Sequence, residues 1–187
     1  MSKTLKRILI GVVLVAAVIF GLLRFMKVQT KQHSPEETNT YFLSAPDGPQ
    51  VEITYCRPYK KGRVIFGGLV PYGKVWRTGA NEATSFKVNK DIRFGGTPVK
   101  AGTYTLWTLP GPDAWGVFLN SKMYPWGVDM DGNAQRDPAF DAAAVVIPVR
   151  HVGTSREQFE INVVVDGNPP YLTLAWDSIM VAVPIEY

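Results

Sequence analysis

Chemistry that runs on cysteine or histidine has little to work with in this chain. Its 187 residues include one cysteine, Cys56, and two histidines, His33 and His151. One cysteine excludes an intrachain disulfide and leaves either a buried thiol or an intermolecular bridge. The buried thiol is the expectation, because free cysteine packs as a small hydrophobe. Cys56 also lies too far from the apolar N-terminal run to be a lipid attachment point. No Cys/His spacing of a zinc site is present; His33 reads as a solvated linker residue and His151 as a turn residue. Asp129-Met130-Asp131-Gly132-Asn133 lacks the terminal glutamate and flanking helices of a calcium loop, and reads as a solvated Asp-Gly turn. There is no G-x-S-x-G nucleophile turn. Gly67–Gly68 and Gly95–Gly96 are turn glycines rather than phosphate loops, since no helix follows either pair. The sequence therefore predicts no metal, no cofactor, no catalytic residue and no enzyme activity.

Basic charge is scarce too, once it is located. The formal net charge is +4, but residues 1–27 carry Lys3, Lys6, Arg7, Arg24 and Lys27 and no acid. The remaining 160 residues hold 15 Lys/Arg against 16 Asp/Glu and are nearly neutral. A nucleic-acid partner is excluded on that ground, since phosphate binding needs a clustered basic face.

What is abundant at the N-terminus is apolar surface. Ile8 to Leu23 is sixteen residues without a charge, about 24 Å as a helix. That is slightly short of a ~30 Å hydrocarbon core, but Arg7 and Arg24 can snorkel and Phe25 and Met26 extend the apolar face. A cleaved signal would carry a small-x-small site after its apolar run. Here Arg24, Phe25, Met26 and Lys27 follow instead, so residues 1–27 are expected to remain as a transmembrane anchor. Lys3, Lys6, Arg7 and the α-amino group face Arg24, Lys27 and Lys31 across the helix, a modest positive-inside bias that points the N-terminus to the cytoplasm. The expected location is the bacterial inner membrane, single-pass, with the body periplasmic.

Residues 28–49 are polar and punctuated, and read as a linker interrupted by an apolar patch, Tyr41-Phe42-Leu43, that docks on something. From Val51 onward short strands alternate with turn residues and no helical period appears. Val51, Ile53 and Tyr55 alternate with polar neighbours, as do Phe86 and Val88. Thr103–Leu109 and the strand carrying Trp115, Val117 and Leu119 form a hairpin through Pro110–Asp113. Val145–Val149, broken by Pro148, reads as an edge strand. Phe159 to Val165 alternates cleanly, and Leu172–Trp176 and Ile179–Ile185 follow across an expected Asp177–Ser178 turn. The pattern predicts an all-β antiparallel β-sandwich over residues 50–187 behind one N-terminal transmembrane α-helix.

Two candidate sites stand out. In the glycine-rich stretch Phe66–Thr84, the residues Trp76, Arg77, Asn81 and Glu82 read either as an Arg77–Glu82 ion pair that holds the loop, or as a polar pocket floored by tryptophan. Of the five tryptophans, Trp107, Trp115 and Trp176 lie on strands and belong to the core. Tyr124 and Trp126 sit between turns, where exposed aromatics are typical of interface hot spots.

Five stretches carry a family pattern: Tyr55-Cys56-Arg57-Pro58; Gly62 to Thr84 with its Val75-Trp76-Arg77-Thr78-Gly79-Ala80-Asn81-Glu82-Ala83-Thr84 string; Ala101 to Leu106; Trp126–Gly127; and Leu174-Ala175-Trp176-Asp177 with Val181 to Ile185. In these the chain resembles the bacterial domain family DUF2911. The resemblance covers roughly residues 50–187, implies an exported β-sandwich, and carries over no catalytic residue. Two departures stand out: family members begin with what looks like a cleavable signal, and Val128–Ala144 fits the family pattern poorly.

Three functions follow as expectations. The first is a non-catalytic accessory or stabilising subunit of a larger inner-membrane complex, respiratory or photosynthetic in kind, with integral membrane subunits and the lipid bilayer as partners. The second is a periplasmic module binding a sugar, lipid or peptide. A hydrolase using Glu82 is a distant third, lacking a second carboxylate.

Overall fold

The computed structural model describes residues 2–44 and 47–187; residues 45 and 46, within the stretch read above as a linker, lie outside them. The chain divides into two compact units, residues 1–33 and 34–187. The first is a helix, α1 (Lys3–His33). Its large apolar side chains from Leu5 to Val28 are all exposed. It is long and apolar enough to cross a membrane, and its place near the N-terminus fits either an anchor or a signal sequence.

The second unit is built from ten strands: β1 (Glu36–Phe42), β2 (Gln50–Cys56), β3 (Ser85–Val88), β4 (Ile92–Phe94), β5 (Thr97–Val99), β6 (Gly102–Leu109), β7 (Ala114–Asn120), β8 (Asp141–Pro148), β9 (Arg150–Val164) and β10 (Tyr171–Glu186). One sheet has the order β1-β2-β3-β6-β7-β8, the other β5-β4-β10-β9, and every pairing between strands is antiparallel. The predicted sandwich is the observed one. Alternation decides which face is core: in β2, Val51, Ile53 and Tyr55 are buried between the two sheets, as are Leu106, Val117, Ile161 and Val183 on their strands. The β6–β7 hairpin turns through residues 110–113, and β8 is the sheet edge.

Three expectations are corrected. Residues 28–49 are not a tether: α1 runs to His33, and Glu36–Phe42 pairs along its whole length with β2, Glu36 opposite Cys56 and Phe42 opposite Gln50. Asp177–Ser178 is not a turn, because β10 continues through it. Asp177 adopts φ +52°, the register shifts on both sides of it, and its carboxylate is held by Lys60 Nζ and Ser155 Oγ, each at 2.6 Å. That is a β-bulge, in which one partner carries unpaired residues. His151 likewise lies within β9, opposite Ile179.

Antiparallel register brings the start of β1, the end of β2, the start of β3, the end of β6, the start of β7 and the end of β8 to one end of the larger sheet. An aromatic cluster closes the core at this end. Phe66 lies 4.7 Å from Trp115 and 6.4 Å from Trp176, and Trp76 lies 4.9 Å from Phe159 and stacks on Trp176 at 6.2 Å.

Candidate functional site

The core face of the larger sheet packs on its partner sheet; the outer face is covered locally by two segments, residues 77–84 and 121–140. The first folds over the end of β2. Ala80 N–H donates to Cys56 O (3.3 Å) and Thr84 Oγ1 to Thr78 O (2.7 Å). Thr78 and Asn81 both hold positive φ, +57° and +56°, the second a conformation that asparagine tolerates better than most residues. Gly79 has no alternative: a Cβ there would stand 3.0 Å from Cys56 O and 3.1 Å from Thr84 Oγ1.

This fold gathers a polar cluster. Glu36 and Cys56 face each other across β1 and β2, and the Cys56 thiol donates to Glu82 Oε2 at 3.5 Å. One donor atom from each of Glu36, Cys56 and Glu82 lies within 4.8 Å of the others. Asn81 Nδ2 reaches Ser34 O at 3.4 Å, tying the loop to the start of the domain. Burial pushes the Cys56 thiol up, the charges of Glu82 and Glu36 push the same way, and a bond from Asn81 opposes them. Burial lowers the Arg77 guanidinium, against attraction from Cys56 and Glu82, and Arg77 Nε is buried without a partner. The thiol is thus held protonated, as a donor to a carboxylate; binding a cation here would require removing that proton from a group whose surroundings resist its loss.

Sequence reasoning missed Glu36 altogether, and with it the second carboxylate judged to be lacking. It also placed Trp76 on the floor of this pocket. Trp76 instead joins the aromatic core, its indole N–H donating to Gly79 O at 2.9 Å. The tryptophan beside Arg77 is Trp126, whose ring centroid is 5.6 Å from the guanidinium carbon.

Trp126 belongs to the second cover. Tyr124 seats it: the ring meets Trp107 edge-on at 5.2 Å, and its hydroxyl accepts from Asp137 N–H at 2.9 Å. Gly127 (φ +85°) passes so close to the sheet that a Cβ would meet Ala83, Trp107 and Arg77 at 3.1–3.3 Å. Asn120 Nδ2 donates to Asp137 O and Asp141 Oδ1, both at 2.8 Å, and Arg136 pairs with Asp141 while lying 3.7 Å over the Phe118 ring. Asp129 accepts from the backbone of Asp131 and Asn133, so its carboxylate organises its own turn.

Tyr124 is therefore a buried anchor, 7 % exposed, rather than an interface residue, and Leu43 at 3 % belongs to the core. Tyr41 is half-buried and bonds Asn162 Oδ1 at 3.1 Å. Phe42 and Trp126 do remain exposed.

Two antiparallel sheets, a glycine-rich loop folded back over a strand end, and a lone buried thiol define the class: a β-sandwich domain. The chain belongs to the family described as protein of unknown function (DUF2911), whose profile matches residues 34–185. The match opens where the second compact unit opens, so β1, excluded from the domain in the sequence reading, is part of it. No curated protein and no solved structure matches the chain.

Proposed function

We propose that this protein is a non-catalytic accessory subunit of an inner-membrane complex, anchored by α1 with its sandwich on the periplasmic side. One observation carries the reading. Met123, Trp126, Met130 and Phe140 are exposed large apolar side chains within a single cover segment, yet Tyr124, Gly127, Asn120 and Arg136 fix that segment to the sheet. An apolar surface that is already ordered loses little conformational freedom on docking, and Trp and Met are the side chains such surfaces favour. The positive flank of α1 supports a cytoplasmic N-terminus.

Extraction in a mild detergent, followed by a native gel and mass spectrometry, tests this. Co-migration with integral membrane subunits is expected, and a Trp126→Ala/Met130→Ser variant should lose it. Migration as a lone 20.7 kDa chain, under conditions that keep membrane complexes whole, overturns the reading. Protection of residues 50–187 from protease added to spheroplasts overturns the topology.

The stacked pair Arg77 and Trp126 favours a second reading, a sugar- or peptide-binding module. A half-exposed indole beside a cation offers a ligand one stacking face and one charge. A thermal-shift series with sugars and short acidic peptides separates the two: a ligand that raises the melting temperature of wild type but not of Arg77→Ala selects the module.

A further inference from the structure

The exposed rim of the glycine-rich loop, residues 61–74, has no part in either candidate site. Ile65 and Val70 bury themselves (1 % and 4 % exposed) and Phe66 enters the aromatic cluster, so the loop is pinned at its centre. Between these pins the chain arches outward. Val64 is 72 % exposed, Leu69 46 % and Tyr72 43 %. They are neighbours: Leu69 N–H donates to Val64 O at 3.0 Å, and the Tyr72 ring lies against Gly67, where a Cβ would come within 2.8 Å of it. Lys61, Arg63 and Lys74 are exposed along the same rim. From Arg57 to Asn81 the sequence holds no acid. Arg57 and Lys60 are engaged by Glu37, Glu160 and Asp177, while among the described residues the Arg63 guanidinium bonds neutral carbonyls, those of Lys60 and Tyr59.

The loop also leaves the sandwich at a telling place. It springs from the end of β2, and Glu36, opposite Cys56, marks the start of β1 at that same end. Arg57 N–H donates to Pro35 O at 2.8 Å and Asn81 to Ser34 O. This is the end at which the chain arrives from α1, with Ser34 following His33 directly.

We infer that the 61–74 rim is a bilayer-docking surface, with Val64, Leu69 and Tyr72 entering the headgroup layer and Arg63 and Lys74 binding anionic lipid headgroups. Apolar tips ringed by bases are how a peripheral surface combines apolar burial with attraction to acidic lipid. The inference rests on α1 being a retained membrane span.

The test uses the full chain in nanodiscs of phosphatidylcholine, with and without phosphatidylglycerol. An environment-sensitive fluorophore is placed on Leu69→Cys or, separately, on Val15→Cys; Cys56, 1 % exposed, stays unlabelled in the native state. The Val15 label should be quenched by nitroxides on lipid acyl chains. The Leu69 label should be quenched several-fold more by headgroup nitroxides when phosphatidylglycerol is present, and Arg63→Glu/Lys74→Glu should abolish that difference. A quenched Val15 label with an unquenched Leu69 label overturns the docking surface alone. An unquenched Val15 label overturns the membrane span, and the docking surface with it. A Leu69 label that responds only when solubilised membrane protein is added assigns the rim to a protein partner, and also overturns the inference.

Discussion

The guanidinium of Arg77 lies over the ring of Trp126, 5.6 Å from its centroid, and so joins two covers of the sheet that the sequence holds far apart. If this contact couples the covers, replacing either residue by alanine should partly remove what the other contributes. A double-mutant cycle by urea denaturation should give a coupling of about 0.5–1 kcal/mol. Strictly additive effects would show that the two segments fold on the sheet independently.

Gly127 is the closest approach between the second cover and the sheet. Gly127→Ala places a methyl among Ala83, Trp107 and Arg77 on a left-handed backbone, and should cost about 1–3 kcal/mol. Gly132 is the control: it shares the positive φ, +83°, but has open space around it. Gly132→Ala should therefore cost about 1 kcal/mol. Thermal melts of the two variants decide it, and equal losses would mean that the close packing at Gly127 contributes nothing.

Burial pushes the Tyr55 phenol up to about 12, and its hydroxyl accepts from Ile161 N–H at 3.0 Å. The folded value stands above the unfolded one, so this stabilisation is complete below pH ~10 and is lost as pH rises toward 12. Denaturant midpoints should fall across that window by the equivalent of about 2–3 kcal/mol. Tyr55→Phe should be less stable at pH 8 but flatter above pH 10; an equally steep alkaline loss in that variant would assign the effect to other groups.

The Cys56 thiol is raised by burial and by the Glu82 and Glu36 charges, and lowered by Asn81. Glu82→Gln should bring thiolate absorbance in at lower pH than wild type, whereas Asn81→Gly, which keeps the backbone tolerable, should delay it. Shifts of the same sign in both variants would contradict the arrangement.

Strands with a wet face and a dry face were legible, because β2, β6 and β7 write their burial as alternation. β1 was hidden for a physical reason. As an edge strand, it turns Glu37, Asn39 and Tyr41 to an inner side that is only half-buried, so its residues carry no hydrophobic period. Losing β1 also lost Glu36, whose place beside Cys56 exists only through the β1–β2 register. β4 and β5 are three residues each, too short to show any period. Asp177–Ser178 reads as a turn because the lysine that holds it in the sheet is Lys60, distant in the chain. Trp76 and Trp126 were exchanged in the predicted pocket because nothing local tells which face of the sheet an isolated indole joins.

That β1 begins two residues after α1 bears on how a partner is found. A random-coil tether over residues 28–49 would let the sandwich wander roughly 25 Å from its anchor, diluting it through a large volume above the membrane. Ser34 and Pro35 alone join helix and strand. On the proposed reading of α1 as a retained span, a connection that short raises the effective concentration of any docking contact in the same membrane. Inserting a Gly-Ser stretch after His33 would lengthen the reach and dilute that advantage, leaving every contact surface of the sandwich unchanged.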